Sequence, residues 1–180
     1  AIRPAEGAAG QTVGTLGTDA FPEGFILDLE HQRICKMNVL NNDAIAGWQT
    51  LTLVKGSPVI EATEDGATIR LLLDTGSSGF SLLSTQALSS TVRSATPVQQ
   101  LSVPSFGRML NVTALKPSRS MAVMGKGLTL DRVYSFDDPD IEGMLKSAGI
   151  SGLLGMQPFS DGALVFDFLG QRIGFGRLPK

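Results

Sequence analysis

The sequence predicts an all-β protein of many short strands, and three observations indicate this fold class. Short apolar or alternating runs recur along the 180 residues. The 21 glycines and 9 prolines are scattered between these runs, which suits strands joined by turns. Helix signals are few and predict only one or two short helices. The predicted strands cover residues 25–30, 33–39, 48–54, 59–63, 68–74, 80–84, 98–103, 110–115, 121–124, 132–136, 163–168 and 172–177.

The two helix signals differ in quality. Residues 84–92 predict a short helix with Ser84 as its N-cap. Residues 137–149 predict a better defined helix, with Asp138 as N-cap and Pro139 at the first helical position. Its C-terminal end is indicated by a late lysine, Lys146, and by Gly149 as the residue that follows the C-cap. The acids at 137–140 could instead bind a cation, but helix capping explains them more simply.

Composition and charge exclude several classes of function. Hydrophobic residues make up 42% and charged residues 18%, so the chain can bury a sizeable core and is not disordered. The net charge is −2 and no long basic run occurs, which argues against nucleic acid or an anionic membrane as the main partner. No apolar stretch approaches the roughly 18 residues of a spanning helix, so no membrane span is predicted.

The single histidine and single cysteine restrict metal and nucleophile chemistry. His31 and Cys35 cannot build the usual zinc sites, and neither a metal site nor a cofactor is predicted. A nucleophilic Cys–His pair is conceivable, but on a strand this spacing separates the two residues by about 13 Å. Two edge-strand residues are the simpler interpretation. A single cysteine cannot form an intramolecular disulfide, so cysteine usage does not indicate the cellular compartment. A periplasmic or secreted location, after removal of a signal peptide, is favoured.

An internal repeat is the clearest feature of the organisation. Residues 13–34 match residues 151–173 when one residue is inserted after Gly162. Glycines at matched places imply matched backbone requirements, and the shared Gln-Arg-Ile implies matched hairpins. The matched pairs are Gly14/Gly152, Leu16/Leu154, Gly17/Gly155, Phe21/Phe159, Gly24/Gly162, Asp28/Asp167, Gln32/Gln171, Arg33/Arg172 and Ile34/Ile173.

Residues 71–84, LLLDTGSSGFSLLS, carry the chemical signal. An apolar strand leads into Asp74, small residues follow, and an alternating apolar run comes next. Together with GLLG at 152–155, this stretch resembles the pepsin-like and retropepsin-like aspartic proteases. The C-terminal ALVFDFLGQRIGF also looks like the hairpin that closes the lobes of that family. The resemblance covers residues 48–180.

The resemblance implies both a fold and a division of the chain. Residues 48–180 would form an acid-protease-like closed-barrel lobe. Residues 1–47 would be an N-terminal β-hairpin arm that resembles the end of a preceding lobe. The arm is expected to pack under the main lobe or across a two-fold axis onto a second chain, because isolated hairpins are marginal in water.

The resemblance also implies roles for individual residues. Asp74 would be the catalytic aspartate, and a second element would thread past its loop. The supporting active-site loop is Thr75, Gly76, Ser77 and Ser78, and the threading element is Leu153, Leu154 and Gly155. In particular, Thr75 would join two lobes through its hydroxyl and Ser77 would hydrogen-bond the carboxylate.

A flap over the site is predicted from residues 98–115, which form a hairpin pattern. The flap candidates at its turn are Pro104, Ser105, Phe106, Gly107 and Arg108. The family's bilobal members usually carry a flap tyrosine, whereas the only tyrosine here, Tyr134, lies outside the hairpin.

Catalysis of this kind needs two carboxyl groups that share one proton, and the sequence contains only one Asp-Thr-Gly. Asp28 and Asp167 do not qualify, because neither is followed by Thr-Gly. The second aspartate is therefore expected on an upstream lobe of the same precursor or on a second copy in a homodimer. Equal repeats would place an upstream match about 65 residues before Ala1.

The expected function is an aspartic endopeptidase, or the aspartate-bearing half of one, acting on a peptide or protein substrate. One alternative is a non-catalytic lobe of the same fold that binds a peptide or protein partner. Another is a β-sandwich binding module in which the motif is accidental. The intact Asp-Thr-Gly-Ser-Ser favours the catalytic interpretation.

Overall fold

The structure is a computed structural model that describes residues 18–37, 45–105, 108–124, 126–128 and 130–177. The chain divides into two compact units, residues 1–52 with 159–180 and residues 53–158. Strands dominate both units, so the predicted all-β class is confirmed. The predicted division into an arm, residues 1–47, and a lobe, residues 48–180, stays a prediction.

The first unit contains a five-stranded antiparallel sheet. Its strands are β1 (Gly24–Asp28), β2 (Arg33–Lys36), β3 (Ile45–Thr50), β14 (Ala163–Asp167) and β15 (Arg172–Gly176), with a 3-10 turn at Thr18–Ala20. The strand order is β2-β1-β14-β15-β3. The core of this unit is apolar, because Leu164, Val165 and Phe166 of β14 are fully buried.

The second unit contains most of a ten-stranded mixed sheet. Its elements are β4 (Thr52–Val54), β5 (Ser57–Glu64), β6 (Ala67–Leu73), β7 (Leu82–Ser84), α1 (Ser90–Ser94), β8 (Thr96–Ser105), β9 (Arg108–Lys116), β10 (Met121–Val123), β11 (Lys126–Leu128), β12 (Val133–Phe136), α2 (Pro139–Ser147), β13 (Gly152–Leu154) and the start of a 3-10 turn at Gln157–Phe159. The order is β11-β10-β5-β6-β13-β7-β12-β9-β8, and β4 pairs with β5.

The predicted closed barrel is wrong, because neither sheet is closed. Among the described strands, the larger sheet ends at β8 on one side and at β11 on the other. Closure would require these two strands to pair. β11 is only three residues long, so it offers few backbone groups for such a pairing.

The internal repeat appears in the first unit as two matched hairpins that lie side by side. β1 pairs antiparallel with β14, and Ile26 stands opposite Val165 at the centre of the register. Gln32 and Gln171 occupy equivalent turn positions with φ values of 52° and 49°. The β1 edge of the arm hairpin is therefore paired with the C-terminal hairpin of its own chain. The matches at Gly14, Leu16 and Gly17 lie outside the described residues.

Each matched hairpin is closed by a buried aspartate. Asp28 accepts a hydrogen bond from Arg33 Nε at 2.7 Å and lies 3.0 Å from His31 Nδ1. Asp167 accepts from Arg172 Nε at 2.7 Å and from the Gly170 N–H at 2.7 Å. The repeated aspartates are therefore structural, because each carboxylate satisfies the turn and the arginine of its own hairpin.

These contacts change the acidity of both aspartates. Burial by itself raises the pKa of Asp28, but the hydrogen bonds from His31 and Arg33 and the charge of Arg33 hold it below 3.8. Burial likewise raises the pKa of Asp167, and the Gly170 N–H, together with the hydrogen bond and charge of Arg172, again lowers it below 3.8. Both carboxylates are therefore ionised at neutral pH.

The helix predictions had different outcomes. In α2, Asp138 caps the N-terminus by accepting from the Asp140 and Ile141 N–H groups, and Gly149 has φ 65° just after the C-cap. In α1, the predicted N-cap Ser84 is wrong. Ser84 ends β7 and its hydroxyl donates to the Ser151 carbonyl, whereas Ser89 caps the helix.

Within the described residues, no helix has the length and apolar character needed to span a membrane.

We predict that Asp28→Asn and Asp167→Asn each lower the free energy of unfolding by about 1–3 kcal/mol, because a neutral amide replaces a buried carboxylate that accepts several hydrogen bonds. Urea unfolding measures this. The matched control is Asp161→Asn, since Asp161 and its partner Arg177 are 55% and 75% exposed. That change should cost less than about 1 kcal/mol. Equal effects of all three variants would contradict the prediction.

We predict that acid weakens the first unit through the same two aspartates. Because their folded pKa values lie below the 3.8 of an unfolded chain, their stabilisation is complete above about pH 5 and is lost as the pH falls through the folded values. Urea unfolding from neutral to acid pH should show this contribution declining below about pH 5. The double variant Asp28→Asn/Asp167→Asn should show a shallower decline, and an unchanged slope would refute this assignment.

Candidate active site

The loop that carries Asp74 lies wholly within the second unit, between β6 and β7. Leu71 and Leu73 of β6 are buried, as is Leu82 of β7, so apolar packing fixes both ends of the loop. Asp74 is the first residue after β6 and is half-buried. The alternating apolar pattern around the motif therefore places a polar loop at the edge of an apolar core.

Two donors orient the Asp74 carboxylate. The Gly76 N–H donates to Oδ1 at 3.0 Å, and the Ser77 hydroxyl donates to Oδ2 at 2.6 Å. The Ser77 N–H also donates to the Asp74 carbonyl at 3.1 Å, which closes the turn. Each carboxylate oxygen thus has a partner from its own loop, and the side chain is held in one orientation.

The second predicted element, β13, crosses directly beside this loop. β13 runs parallel to β6 and antiparallel to β7, with Leu154 opposite both Leu73 and Leu82. The Asp74 N–H donates to the Leu154 carbonyl at 2.9 Å. The structure therefore brings together the two segments that were predicted to thread past each other.

The crossing continues at Gly155. Its N–H donates to the Ser81 carbonyl at 2.8 Å, and the next N–H, of Met156, donates to the Ser77 carbonyl at 2.8 Å. A Cβ atom at Gly155 would lie 2.3 Å from the Phe80 carbonyl oxygen and 2.6 Å from that of Ser77. Only glycine therefore permits this approach of the two backbones.

The rest of the loop faces solvent. Thr75, Gly76 and Ser78 are exposed, and Asp74 is half-buried beside them. This leaves an oriented carboxylate next to an exposed strip of small residues. Such a group can accept a proton from a bound water or donate a hydrogen bond once protonated. The catalytic role of Asp74 and the roles of its neighbours stay predictions.

The predicted flap is a long hairpin formed by β8 and β9. Its register extends to Ser105 opposite Arg108. Phe106 and Gly107 lie outside the described residues, and Pro104, Ser105 and Arg108 are described only by their backbone. The function of this hairpin as a flap stays a prediction.

The inner face of the hairpin is apolar. Leu110 and Val112 of β9 belong to a buried cluster that also contains Tyr134, and Leu101 and Val103 of β8 pack against it. Tyr134 lies on β12, next to β9, and its ring meets Phe80 edge-to-face at 4.7 Å. The tyrosine outside the hairpin therefore packs against Phe80 of the Asp74 loop.

Other candidate groups are accounted for by the fold. His31 contacts Asp28 in the β1/β2 turn, and Cys35 lies on β2 opposite Ile26. Asp138 in the acidic cluster at 137–140 caps α2. Among the described residues, no group of three or more His, Cys, Asp or Glu side chains is arranged to hold a metal ion.

Sequence reasoning missed two backbone contacts that define the site. The Gly76 N–H donates to the Asp74 side chain, and the Met156 N–H ties β13 to the loop. The first contact has a local signal, because an aspartate side chain commonly accepts a hydrogen bond from the backbone N–H two residues later. The second contact has no local signal, because its partners are distant in sequence.

Comparison with solved structures gives a distant likeness. No protein-family profile and no curated protein sequence matches the chain. A solved structure of a retropepsin-like aspartic protease from Rickettsia conorii is similar, with 16% identity and a TM-score of 0.39, over 66% of this chain and 89% of that one. This is a similarity of fold, and at that distance it says nothing about the activity of this chain.

We predict that Gly155→Ala disrupts the crossing and lowers the free energy of unfolding by about 2–3 kcal/mol, because backbone oxygens cannot move aside as side-chain ends can. Urea unfolding measures the loss. Gly143→Ala is the matched control, since a Cβ there meets nothing within 4 Å. That substitution lies within α2 and should stabilise the protein by about 0.5–1 kcal/mol. Equal stability of Gly155→Ala and the parent would show that the crossing tolerates a side chain.

Proposed function

We propose that this chain is an aspartic endopeptidase, or the aspartate-bearing half of one, and that Asp74 is its catalytic aspartate. The observation that carries the proposal is the Asp74 carboxylate, oriented by Gly76 and Ser77 on an exposed loop. The other aspartates that follow an apolar strand, Asp28 and Asp167, are buried in hairpins with arginine partners. Asp74 is therefore the carboxylate best placed to meet a substrate.

The reaction would follow from a pair of carboxyl groups. Two carboxyls about 3 Å apart share a proton, because ionising both at that separation is unfavourable. The ionised member accepts a proton from water, and the protonated member donates a hydrogen bond to the scissile carbonyl. Water, and not a side chain, is then the nucleophile that attacks the peptide carbon.

The second carboxyl would come from outside the Asp74 loop. We propose a second copy of this chain as its source, because a two-fold axis beside the exposed loop would bring Asp74 and its symmetry mate together. The exposed Thr75 hydroxyl would then lie at the contact between the two loops. An upstream lobe of the same precursor is the other source, and the experiments below distinguish the two.

A non-catalytic lobe that binds a peptide or protein partner is the second candidate function. The observation that favours it is the single Asp-Thr-Gly in the sequence, which supplies half of the required pair. This alternative would be supported if the parent binds peptides without cleaving them and a variant with Asp74 replaced binds them equally well.

We predict that Asp74→Asn lowers kcat/KM for peptide cleavage by roughly 10²- to 10⁴-fold or more, because the amide can neither accept nor share the proton. Cleavage of a fluorogenic peptide library, read at acid and neutral pH, measures it. Asp131→Asn, at an exposed position, is the control and should retain the parent's activity. Comparable cleavage by Asp74→Asn and the parent would show that Asp74 is not catalytic.

A mixing experiment distinguishes the two sources of the second carboxyl. If the pair forms between two copies, adding excess Asp74→Asn chain should lower the activity per parent chain, because mixed dimers hold one aspartate. Sedimentation at micromolar concentration should then show a dimer of the 19.0 kDa chain. If the second carboxyl comes from an upstream lobe on the same polypeptide, the added variant should leave activity unchanged.

A further inference from the structure

A buried glutamate connects the β5/β6 turn to helix α1. Glu64 ends β5 and is only 4% exposed. It accepts from the Ser89 hydroxyl at 2.6 Å, from the Ser90 N–H at 2.9 Å and from the Thr91 N–H at 2.9 Å. α1 has five residues, too few to be stable alone. The glutamate therefore fixes this short helix by satisfying its first N–H groups.

The next residue of the turn extends the connection to a second segment. Asp65 accepts from the Ser90 hydroxyl at 2.8 Å and pairs with Arg119. Ser118, the residue before that arginine, donates to the Ser94 carbonyl at 3.4 Å and lies 3.3 Å from the Ser94 hydroxyl. The turn, the helix and the segment around residue 118 therefore form one hydrogen-bonded network.

This network lies at both ends of the β8/β9 hairpin. β8 begins two residues after α1 ends, and Ser118 follows β9 by two residues. The hairpin's inner face packs on the same buried cluster as Phe80 of the Asp74 loop. β9 also pairs with β12, so the middle of the hairpin is held by the sheet, whereas the network holds the two chain ends at its base.

The charges of the network support this arrangement. Burial by itself raises the pKa of Glu64, but hydrogen bonds from the Ser89 hydroxyl and the N–H groups of α1 hold it below 4.5, so it is ionised at neutral pH. The Ser90 hydroxyl and Arg119 lower the pKa of Asp65 as well. The remaining charged group of α1, Arg93, donates to the Gln86 carbonyl.

We propose that Glu64 and Asp65 are positioning residues for the β8/β9 hairpin, holding both of its chain ends and thereby its packing on the buried cluster that Phe80 of the Asp74 loop also contacts. Any effect on cleavage rests on the function proposed above, whereas the anchoring does not. The residues act at the base of the hairpin and touch no reacting group. Loosening them should free the hairpin while β6 and β13, which carry the Asp74 loop, stay ordered.

Hydrogen exchange of the backbone amides tests the anchor without requiring any activity. We expect Glu64→Gln to lower the protection factors of β8 and β9 about tenfold or more, because its amide group cannot accept all three hydrogen bonds. Amides of β6 and β13 should change less than about twofold. The matched control is Glu61→Gln on the exposed face of the same strand, which should leave all four strands unchanged.

A second pair of variants, at an exposed position, tests the same network in case the Glu64→Gln protein does not fold. Arg119→Gln removes the cation from a side chain that is 50% exposed, and should lower β8/β9 protection about threefold. Arg119→Lys keeps the cation and should restore most of it. Unchanged β8/β9 protection in both Arg119→Gln and Glu64→Gln, or an equal loss in β6 and β13, would overturn the proposal. Absence of peptidase activity in the parent would bear only on the function proposed for Asp74.

Discussion

The close crossing at Gly155 is the constraint on which the candidate site depends. Here the backbone of β13 passes between the Ser77 and Phe80 carbonyl oxygens, with no space for a Cβ atom. The crossing supplies the Leu154 carbonyl that accepts from the Asp74 N–H, and the Met156 N–H that holds the far side of the loop. The Asp74 carboxylate can therefore be oriented by its own loop, because the backbone beneath that loop is already fixed.

Carboxylates organise this protein in two different ways. Asp28, Asp167 and Glu64 are buried, and each accepts several hydrogen bonds that outweigh the effect of burial on its pKa. Such groups hold hairpins and a helix in place, since an ionised buried carboxylate without partners would be very costly. Asp74 differs because it is half-buried, borders exposed residues and, within the part of the chain that the structure describes, receives its hydrogen bonds from its own loop. Accessibility, and not the presence of a carboxylate, separates the candidate catalytic residue from the structural ones.

The matched hairpins show how the repeat is used within one chain. Each hairpin carries an aspartate and an arginine at equivalent places, and β1 pairs with β14 so that the two form one continuous sheet. A single hairpin could not bury its apolar face, whereas two in register cover each other's inner edges. The hairpin of β1 and β2 is thereby paired with a hairpin of its own chain.

Local sequence is enough to predict the strand-rich class, the Asp138 cap of α2, the β8/β9 hairpin and the matched hairpins of the repeat, because each depends on local periodicity, turn residues or a short motif. The proximity of Asp74 to GLLG is what the family resemblance implies. Contacts between residues far apart in the chain determine that the larger sheet stays open, that Ser84 ends a strand instead of capping a helix, and that Glu64 and Asp65 contact α1 and Arg119. Ser84 shows the reason most clearly: serine is an equally good cap in the local sequence, and the distant Ser151 carbonyl accepts its hydroxyl within the strand.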